Sequence, residues 1–301
     1  MPDDPNWPRA GAWLAGDHDP DAAVRMTVVG APLARSSLTP GRCDRAPAAV
    51  REALGRFSTF DIETGEDVRG VAAADAGDVD LASATPEEAL APLAQAVENG
   101  LRAGDAVVVL GGDNAVTRPA LRGLGPTLDR IGLLTLDAHL DLRDTAGGLN
   151  NGNPVRALLE DGLPGDHVVQ VGIAAFANSG VYAGVANDAS ITVITADTAR
   201  TRGVDAVVAG ALEHLAERAD AIYVDVDLDV LDRAFAPACP GSRPGGLHPS
   251  DLRRAARTAG GHPRVRAMDI VEVDPTRDVA DVTVLTAASC LLSFAAGLAA
   301  R

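Results

Sequence analysis

Two short acidic clusters, each following an apolar strand-like run, carry the residues in this sequence that are best suited to chemistry. The first cluster is Asp137, His139 and Asp141. Side chains of an extended segment alternate between two faces, so these three can converge on one point. The second cluster is Asp227 and Asp229. Carboxylates at strand ends repel one another unless a cation lies between them, so two such clusters predict a metal site.

The types of these ligands restrict the metal. Carboxylate oxygens with one imidazole favour manganese or magnesium over the sulfur-rich sites of structural zinc, and this many carboxylates can neutralise two divalent ions. Two ions about 3.5 to 4 Å apart lower the pKa of a shared water, so the pattern predicts a metal-assisted hydrolysis. A calcium loop over 225–232 is rejected, because Val230 occupies the position that needs glycine.

The surrounding elements alternate regularly between strand and helix, as in a single domain with a parallel sheet. We expect residues 1–25 to form an irregular arm on the surface and residues 26–301 to form the one catalytic domain. Periodicity alone does not decide between an open sheet and a closed eight-stranded barrel. The predicted strands lie at 26–31, 71–79, 105–110, 131–136, 168–172, 191–195, 221–226 and 264–270, and the predicted helices at 47–55, 86–103, from 154, 203–218, 249–259 and 279–299.

Both architectures place their chemistry at the carboxyl ends of the strands. The unusual polar residues of this chain all lie at such positions, so we expect them to meet at one edge of the sheet. They are Asp113 and Asn114, then Asp137, His139 and Asp141, then Asp227, Asp229 and Asp232, then Glu272.

Composition excludes several other classes of function. The chain has 301 residues, 47% of them hydrophobic, and a net charge of -16, which disfavours nucleic acid or anionic lipid as a partner. We find no run of about 18 apolar residues for a membrane span and no signal-like start, so we expect a cytoplasmic protein. The three cysteines are scattered and lack CxxC spacing, which indicates buried or incidental thiols.

Five motifs together resemble those of the ureohydrolases, the arginase and agmatinase family. They are GGDN (111–114), DAHLD (137–141), DVDLDVLD (225–232), PGGL (244–247) and EVDP (272–275), which correspond to GGDH, DAHxD, SxDxDxxDP, PGG and E-V-x-P. The resemblance implies an open three-layer α/β/α sandwich with a parallel sheet of about eight strands. It also implies a dinuclear manganese site that hydrolyses a guanidine or an amidine, and a homo-oligomer, either a trimer or a hexamer.

The resemblance assigns roles by position. Asp137 and Asp227 would bridge two manganese ions, with Asn114 and Asp141 completing one site and His139 and Asp229 the other. Glu272 would hold the cationic nitrogen of the substrate, and Asp141 would carry a proton. Because an amide oxygen is a weaker ligand than imidazole nitrogen, we expect two ions per subunit, the one at Asn114 being the more weakly bound.

Two departures from the family pattern restrict the choice of substrate within the family. Asn114 replaces the histidine of GGDH, and Asn151 replaces the histidine of the H-G-x-P loop that serves arginases as a proton shuttle. The chain is most similar to formimidoylglutamases, through DAHLDLR, the N-G-x-P-x-R of 151–156 and the FAPACP of 235–240, although Asn153 stands where they have threonine. We therefore expect hydrolysis of N-formimidoyl-L-glutamate to L-glutamate and formamide, in histidine degradation. Alternatives are an agmatinase-like or guanidinobutyrase-like hydrolase, or a metal-poor pseudoenzyme.

A dicarboxylate substrate needs cationic groups at the site. Arg143 and Arg243 are the candidates for binding the carboxylates of the substrate, and Asn151 and Asn153 are expected to be further substrate-binding residues. The alternative for each arginine is an ordinary surface ion pair with one of the 42 acidic residues. The other histidines are expected to be structural, Asp113 and Asp232 to support their loops, and Asp225 has no account.

Overall fold

The computed structural model describes residues 4, 6–18 and 21–301, and its centre is a mostly parallel set of strands. Most of these strands agree with the predicted ones within two residues at each end. Their bounds are β1 Met26–Ala31, β2 Phe60–Asp61, β3 Glu66–Asp67, β4 Ala73–Asp78, β5 Ala106–Gly111, β6 Ile131–Leu136, β7 Val168–Ile173, β8 Thr192–Thr195, β9 Ala221–Asp227 and β10 Val265–Val271.

Ten α-helices are found within the described residues, and they cover the sheet on both faces. They are α1 Ala10–Leu14, α2 Ala46–Leu54, α3 Pro86–Ala103, α4 Thr117–Arg122, α5 Pro154–Glu160, α6 Gly180–Asp188, α7 Ala196–Arg202, α8 Val204–Ala216, α9 Pro249–Gly261 and α10 Val282–Ala299. Residues of α1, α2 and α7 to α10 form one hydrophobic cluster with the sheet. Residues of α3 to α6 form the second cluster on the opposite face. The molecule is therefore a three-layer α/β/α sandwich, as the sequence predicted.

The main sheet has eight parallel strands in the order β4-β1-β5-β10-β9-β6-β7-β8. It is open, which resolves the choice between open sheet and barrel. Strands β4 and β5 lie on either side of β1, and β6, β7 and β8 follow one another to the other edge of the sheet. Strands β9 and β10 come last in the chain and lie between β5 and β6. Four neighbouring strands in the middle of the sheet, β5, β10, β9 and β6, are those that the acidic motifs follow.

Burial explains why these strands read as continuous apolar runs. Every residue of β5 and β6 is buried, because helices cover both faces of a parallel sheet. The edge strands β4 and β8 are largely exposed and carry polar residues. A small antiparallel pair, β2 with β3, lies outside this sheet.

Helix α3 shows how local signals fix an element. The Thr85 side chain accepts a hydrogen bond from the backbone N–H of Glu88, the Glu88 side chain accepts one from the backbone N–H of Thr85, and Pro86 occupies the first turn. This capping box satisfies two backbone N–H groups that the helix cannot pair itself. The predicted and observed bounds of α3 are the same.

Two expectations about the chain ends need correction. The segment 1–25 is not wholly irregular, because Ala10–Leu14 is helical and Trp13 is fully buried, its ring nitrogen donating to the carbonyl of Val71 at 2.9 Å. The statement that no stretch is long and apolar enough to cross a membrane is also wrong for Val282–Ala299, whose mean hydropathy is 1.9. That helix is 72% buried within the fold, packed in the core with α2 and α9, which is the pattern of a core helix.

Candidate metal centre

The carboxyl ends of β5, β6, β9 and β10 bring the polar residues of the motifs to one edge of the sheet. Asp137 directly follows β6, Asp227 is the last residue of β9, and Glu272 directly follows β10. Asp227 on β9 is the register partner of Val271 on the adjacent strand β10, so Glu272 lies one residue beyond this pair. The convergence predicted from the sequence is thus a consequence of strand order and register.

Two of these residues have a backbone conformation that is unusual for their type. Asp141 has φ 53° and Glu272 has φ 64°, both in the left-handed region. Such a conformation costs roughly 1 to 3 kcal/mol for a residue other than glycine, and it persists where surrounding contacts impose it. The strained positions are at the centre of the cluster, where the side chains must turn inward.

Hydrogen bonds fix the loop that carries Asp137, His139 and Asp141. The carboxylate of Asp137 accepts from the backbone of His139 at 2.6 Å. The side chain of Asn178 accepts from the backbone of Leu140 at 2.8 Å and donates to the carbonyl of Ala138 at 3.0 Å. The loop is therefore clamped from the segment that follows β7, a contact that the sequence did not indicate.

The first half of the cluster consists of Asp137, His139 and Asp229. One ligand atom from each lies within 4.8 Å of the other two. His139 Nδ1 is 2.8 Å from Asp229 Oδ2 and 3.5 Å from Asp137 Oδ1. Gly241 lies directly against this group, because a Cβ there would be 2.0 Å from Asp229 Oδ2. A residue with a side chain at this position would displace a ligand atom.

The second half consists of Asn114 and Asp141, joined to the first half by Asp137. Asn114 Nδ2 is 2.5 Å from Asp141 Oδ2 and 3.4 Å from Asp137 Oδ2. Asp137 therefore has one carboxylate oxygen beside His139 and the other beside Asn114. This intermediate position is the geometry expected of a residue shared between two ions.

Burial and mutual repulsion raise the pKa of most carboxyl groups in the cluster. Burial, together with the charge of Asp229, raises the pKa of Asp137 to about 6. Burial and the neighbouring carboxylates raise the pKa of Asp141 and of Asp227 well above the usual range. Burial, with the charge of Asp113, raises the pKa of Glu272 to about 8. A cation among them would remove this penalty, so the donor set fits divalent metal.

His139 and Asp229 are the exception, because they compensate each other. Burial opposes the charge on His139, but the carboxylate of Asp229 raises the pKa of the imidazole to about 11. Burial likewise opposes the charge on Asp229, and the His139 charge lowers the pKa of that carboxyl below its usual value. His139 and Asp229 thus stabilise each other's charged forms.

The cluster opens into a pocket of about 390 Å³. Asn114 and Asp137 are 1% exposed and do not line it. Eight of the residues singled out from the sequence do line it: His139, Asp141, Asp227, Asp229, Glu272, Arg143, Asn151 and Arg243. The sequence missed others in the lining, among them Leu38, Thr39, Asn178, Ser179 and Tyr182. They come from loops and from the start of α6, which carried no recognisable motif.

Arg143 and Arg243 both lie at the exposed mouth of this pocket. Neither has a carboxylate partner within the described part of the chain. Arg243 donates to the carbonyl oxygen of Gly241 at 2.6 Å. Arg143 lies against Gly152, where a Cβ would come within 2.7 Å of its Cδ. The alternative of ordinary surface ion pairs is therefore not observed.

Asn151 supports Glu272. Its side-chain nitrogen donates to Glu272 Oε1 at 2.8 Å, and its oxygen accepts from the backbone of Leu38 at 2.8 Å. The backbone of Asn114 also donates to Glu272 Oε1, at 2.9 Å. Glu272 Oε2 is the oxygen that these contacts leave available to a substrate.

Asn153 is not brought to the pocket, in contrast to the expectation that it binds substrate. It is fully buried, and its side chain accepts from the backbone of Asn150 at 2.9 Å and donates to the carbonyls of Asp144 and Gly148. Both ends of the amide are used within the loop. Asn153 therefore shapes the loop that presents Arg143 and Asn151.

The supporting aspartates behave largely as predicted. Asp113 accepts from the hydroxyl of Ser37 and from the backbone of Ala115. Asp232 accepts from the backbone of Ala234 at 2.8 Å and of Gly245 at 2.7 Å. Both hold loops in place.

Asp225 and Asp269 form a buried pair that the sequence left unexplained. They are register partners on adjacent strands β9 and β10. Burial, together with the charge of Asp269, raises the pKa of Asp225 well above its usual value. Asp269 accepts from the hydroxyl of Tyr223, and the hydroxyl oxygen of Thr117 lies 2.9 Å from its Oδ2. The sequence signal for this hydrogen-bond network was an acidic residue, Asp225 or Asp269, within an otherwise apolar strand.

None of the other histidines lines the pocket, as expected. His167 is buried and its Nδ1 lies 3.2 Å from the carbonyl of Ile131, and His248 caps α9. Cys43, Cys239 and Cys290 are all buried and free, which confirms their assignment as buried thiols.

An open three-layer sandwich with an acidic, histidine-containing cluster at the carboxyl ends of its central strands defines a class of metal-dependent hydrolase. This chain belongs to the Arginase family, whose profile matches residues 24–297. It is 36% identical over 279 residues to formimidoylglutamase from Halalkalibacterium halodurans, covering 90% of this chain and 86% of that one.

Solved structures agree with this relationship. The formimidoylglutamase of Bacillus subtilis superposes with a TM-score of 0.91 at 30% identity, covering 99% of this chain and 94% of that one. The formiminoglutamase of Trypanosoma cruzi, solved with Mn2+2, superposes with a TM-score of 0.88 at 25% identity, covering 98% and 99%. The family, the fold and the hydrolase class predicted from the sequence are confirmed.

Proposed function

We propose that this chain hydrolyses N-formimidoyl-L-glutamate to L-glutamate and formamide, with two manganese ions per subunit. The observation that carries the proposal is a pocket that joins an acidic, histidine-containing cluster to two arginines, neither of which has a carboxylate partner among the described residues. The formimidoylglutamases among the relatives support the choice of substrate.

The residues present fit a pair of manganese ions. Asp137 and Asp227 would be shared, Asn114 and Asp141 would complete one position, and His139 and Asp229 the other. Oxygen donors with one imidazole suit manganese, and the raised pKa values of Asp137, Asp141 and Asp227 support a cation among them, which would let these carboxyl groups ionise together. When bound, the two ions supply Lewis acidity and lower the pKa of water, so that hydrolysis proceeds at neutral pH.

Glu272 would orient the reacting group. An amidinium is cationic and planar, and Oε2 of Glu272 is available to accept its N–H because Oε1 is already occupied by Asn114 and Asn151. The strained backbone of Glu272 turns the carboxylate into the pocket. The amidine carbon would thereby be held beside the cluster.

Asp141 would move the proton that the reaction requires. Water adds to the amidine carbon, the bond from that carbon to the glutamate nitrogen breaks, and the nitrogen must receive a proton to leave as an amine. Oδ2 of Asp141 lies against Asn114, so Oδ1 is the atom that would take the proton and deliver it. Asp141 lines the pocket and is 6% exposed, so the substrate can reach it.

Arg143 and Arg243 would bind the two carboxylates of the substrate. A guanidinium grips a carboxylate through two parallel hydrogen bonds, and neither group competes here with a carboxylate from the described chain. The same arginines would repel agmatine, whose far end is a cation. The site therefore favours a dicarboxylate over the agmatinase-like alternative.

A substrate panel tests this proposal. Manganese-loaded protein should release formamide from N-formimidoyl-L-glutamate faster than it releases urea from agmatine, 4-guanidinobutyrate or arginine. A preference for agmatine would contradict the assignment, and no turnover of any of the four compounds would favour the metal-poor pseudoenzyme. The cytoplasmic location, the role in histidine degradation and the trimer or hexamer stay predictions from the sequence.

A further inference from the structure

The side-chain amide of Asn114 is held in an orientation that does not suit a metal ion. Asn114 is 1% exposed, and its Nδ2 faces the carboxylates of Asp141 and Asp137 at 2.5 and 3.4 Å. Its Oδ1 points away from them and accepts from the hydroxyl of Thr117 at 2.7 Å. An amide NH₂ group carries no lone pair for a cation, so only the oxygen could serve as a ligand.

Rotation of the amide by 180° about χ2 would exchange the two atoms without changing the shape of the side chain. The χ2 torsion of asparagine is broad and roughly two-fold, so both orientations are accessible. The rotated amide presents its oxygen to the carboxylate cluster and its NH₂ group to Thr117. In that orientation the NH₂ group needs a hydrogen-bond acceptor, because Asn114 is buried.

Thr117 can supply that acceptor because it has a second partner for its own hydrogen. Its Oγ1 lies 2.9 Å from Asp269 Oδ2, in addition to 2.7 Å from Asn114. A hydroxyl has one hydrogen and two lone pairs, so it can donate to only one of these oxygens at a time. If it donates to Asp269, a lone pair is free to accept from Asn114.

Asp269 is a fixed acceptor for this exchange. It is fully buried on the central strand β10. The hydroxyl of Tyr223 donates to its Oδ2 at 2.7 Å, and the backbone of Val226 donates to its Oδ1 at 3.1 Å. These contacts hold the carboxylate where Thr117 can reach it in either arrangement.

We propose that Thr117 is a positioning residue that lets the Asn114 amide turn its oxygen toward the metal pair. Without metal, the Thr117 hydroxyl donates to Asn114 Oδ1. With metal, it donates to Asp269 and accepts from Asn114 Nδ2. This inference rests on the proposed two-metal function, and it assigns a role to the polar network beneath the cluster.

Removing the hydroxyl affects the two arrangements unequally. In the arrangement with metal, Thr117→Val loses two hydrogen bonds, one to Asp269 and one from Asn114. In the arrangement without metal, it loses only the bond to Asn114. The difference is the hydrogen bond to the Asp269 carboxylate, a charged acceptor, so manganese at the Asn114 position should bind roughly 10- to 100-fold more weakly. The position at His139 should be unaffected.

Calorimetric titration of manganese into chelator-stripped protein tests this role. The variants are Thr117→Val and Thr117→Ser, each also made in an Asn114→Ala background, with thermal unfolding as a check on folding. We expect Thr117→Val to weaken only the looser site, and Thr117→Ser, which keeps the hydroxyl, to bind as the wild type does. In the Asn114→Ala background, Thr117→Val should have no further effect. Should Thr117→Val fail to fold, Thr117→Ala in the same comparison gives the same expected result.

Two other outcomes overturn the inference, and each can be told apart from a failure of the proposed function. If the wild type binds two ions and Thr117→Val binds them equally well, Thr117 has no positioning role but the metal site stands. If Thr117→Val weakens binding equally with and without Asn114, its effect is structural. If the wild type itself takes up no manganese, the proposed function fails and the inference fails with it.

Discussion

Without metal, the carboxylate cluster should make the protein less stable as the pH rises. The pKa of Glu272 is raised from 4.5 to about 8 and that of Asp137 from 3.8 to about 6. The folded state therefore binds protons that the unfolded state has already lost, and this contribution to stability disappears as pH rises through the folded pKa. Asp141 and Asp227 act in the same direction.

The size of this effect follows from the shift. Between pH 5 and pH 8, the shift of Glu272 from 4.5 to about 8 corresponds to a loss of about 3 to 4 kcal/mol in the free energy of unfolding. For a chain of this size that lowers the melting temperature by roughly 5 to 10 °C. The lowered pKa of Asp229 makes the folded state more stable as the pH rises, but this carboxyl group titrates below the range from pH 5 to pH 8. The pKa of His139 is raised above its unfolded value of 6.5, so this imidazole adds a further loss of stability as the pH rises above 6.5.

Thermal unfolding of stripped and manganese-loaded protein at pH 5 and pH 8 measures this effect. We expect the stripped protein to lose stability over this range and the manganese-loaded protein to show little of that loss. Glu272→Gln is the matched control, because glutamine keeps the shape and the accepting oxygen but cannot ionise, so its stripped form should lose less stability. Equal melting temperatures of the stripped wild type at both pH values would refute the reasoning.

Further predictions concern single side chains. Asp227→Ala should abolish hydrolysis and reduce manganese uptake measured by elemental analysis, because the carboxylate that we propose both ions share is lost; unchanged uptake would contradict its role. Arg143→Ala should lower kcat/KM for the dicarboxylate by roughly 5- to 30-fold, because a charge-assisted hydrogen bond at the exposed mouth of the pocket is lost. Arg257→Ala is the control and should have no effect, because this exposed arginine of α9 does not line the pocket. Asn114→His should tighten the looser manganese site by roughly 10- to 100-fold in calorimetric titration, and weaker binding would show that the pocket cannot hold an imidazole.

Much of the architecture could be predicted because the signals are local. The bounds of α3 follow from Thr85, Pro86 and Glu88, and the strands β5 and β6 follow from their unbroken apolar runs. The choice between an open sheet and a barrel depends on which strands pair across long distances in sequence, and periodicity does not encode that. The resemblance to the ureohydrolases supplied the answer that the pattern alone did not.

Helices α6 and α7 were missed for physical reasons. In α6, only Ala186 is buried, so the segment shows no apolar stripe. Helix α7 is short and is separated from α8 only by Gly203, whose φ of 85° breaks the helix. Helix α1 was concealed within an arm rich in proline and aspartate, although Trp13 is fully buried.

The candidate site was predictable to the extent that residues lie at strand ends. Asp137, Asp227 and Glu272 converge because of the order of four strands, which the motifs reflect. The partners of an amide cannot be read from its position, so Asn153 was assigned to the substrate although its side chain is used within its own loop. Thr117 was missed because a threonine at the start of α4 carries no sign of what it faces.

The central claim is that this acidic cluster holds two manganese ions for hydrolysis of an amidine. The most direct measurement strips the protein with a chelator, restores manganese in steps, and follows formamide release from N-formimidoyl-L-glutamate together with bound metal per chain. We predict no activity in the stripped protein and full activity as binding approaches two ions per chain. Full activity after exhaustive chelation, or restored manganese without any formamide release, would contradict the account.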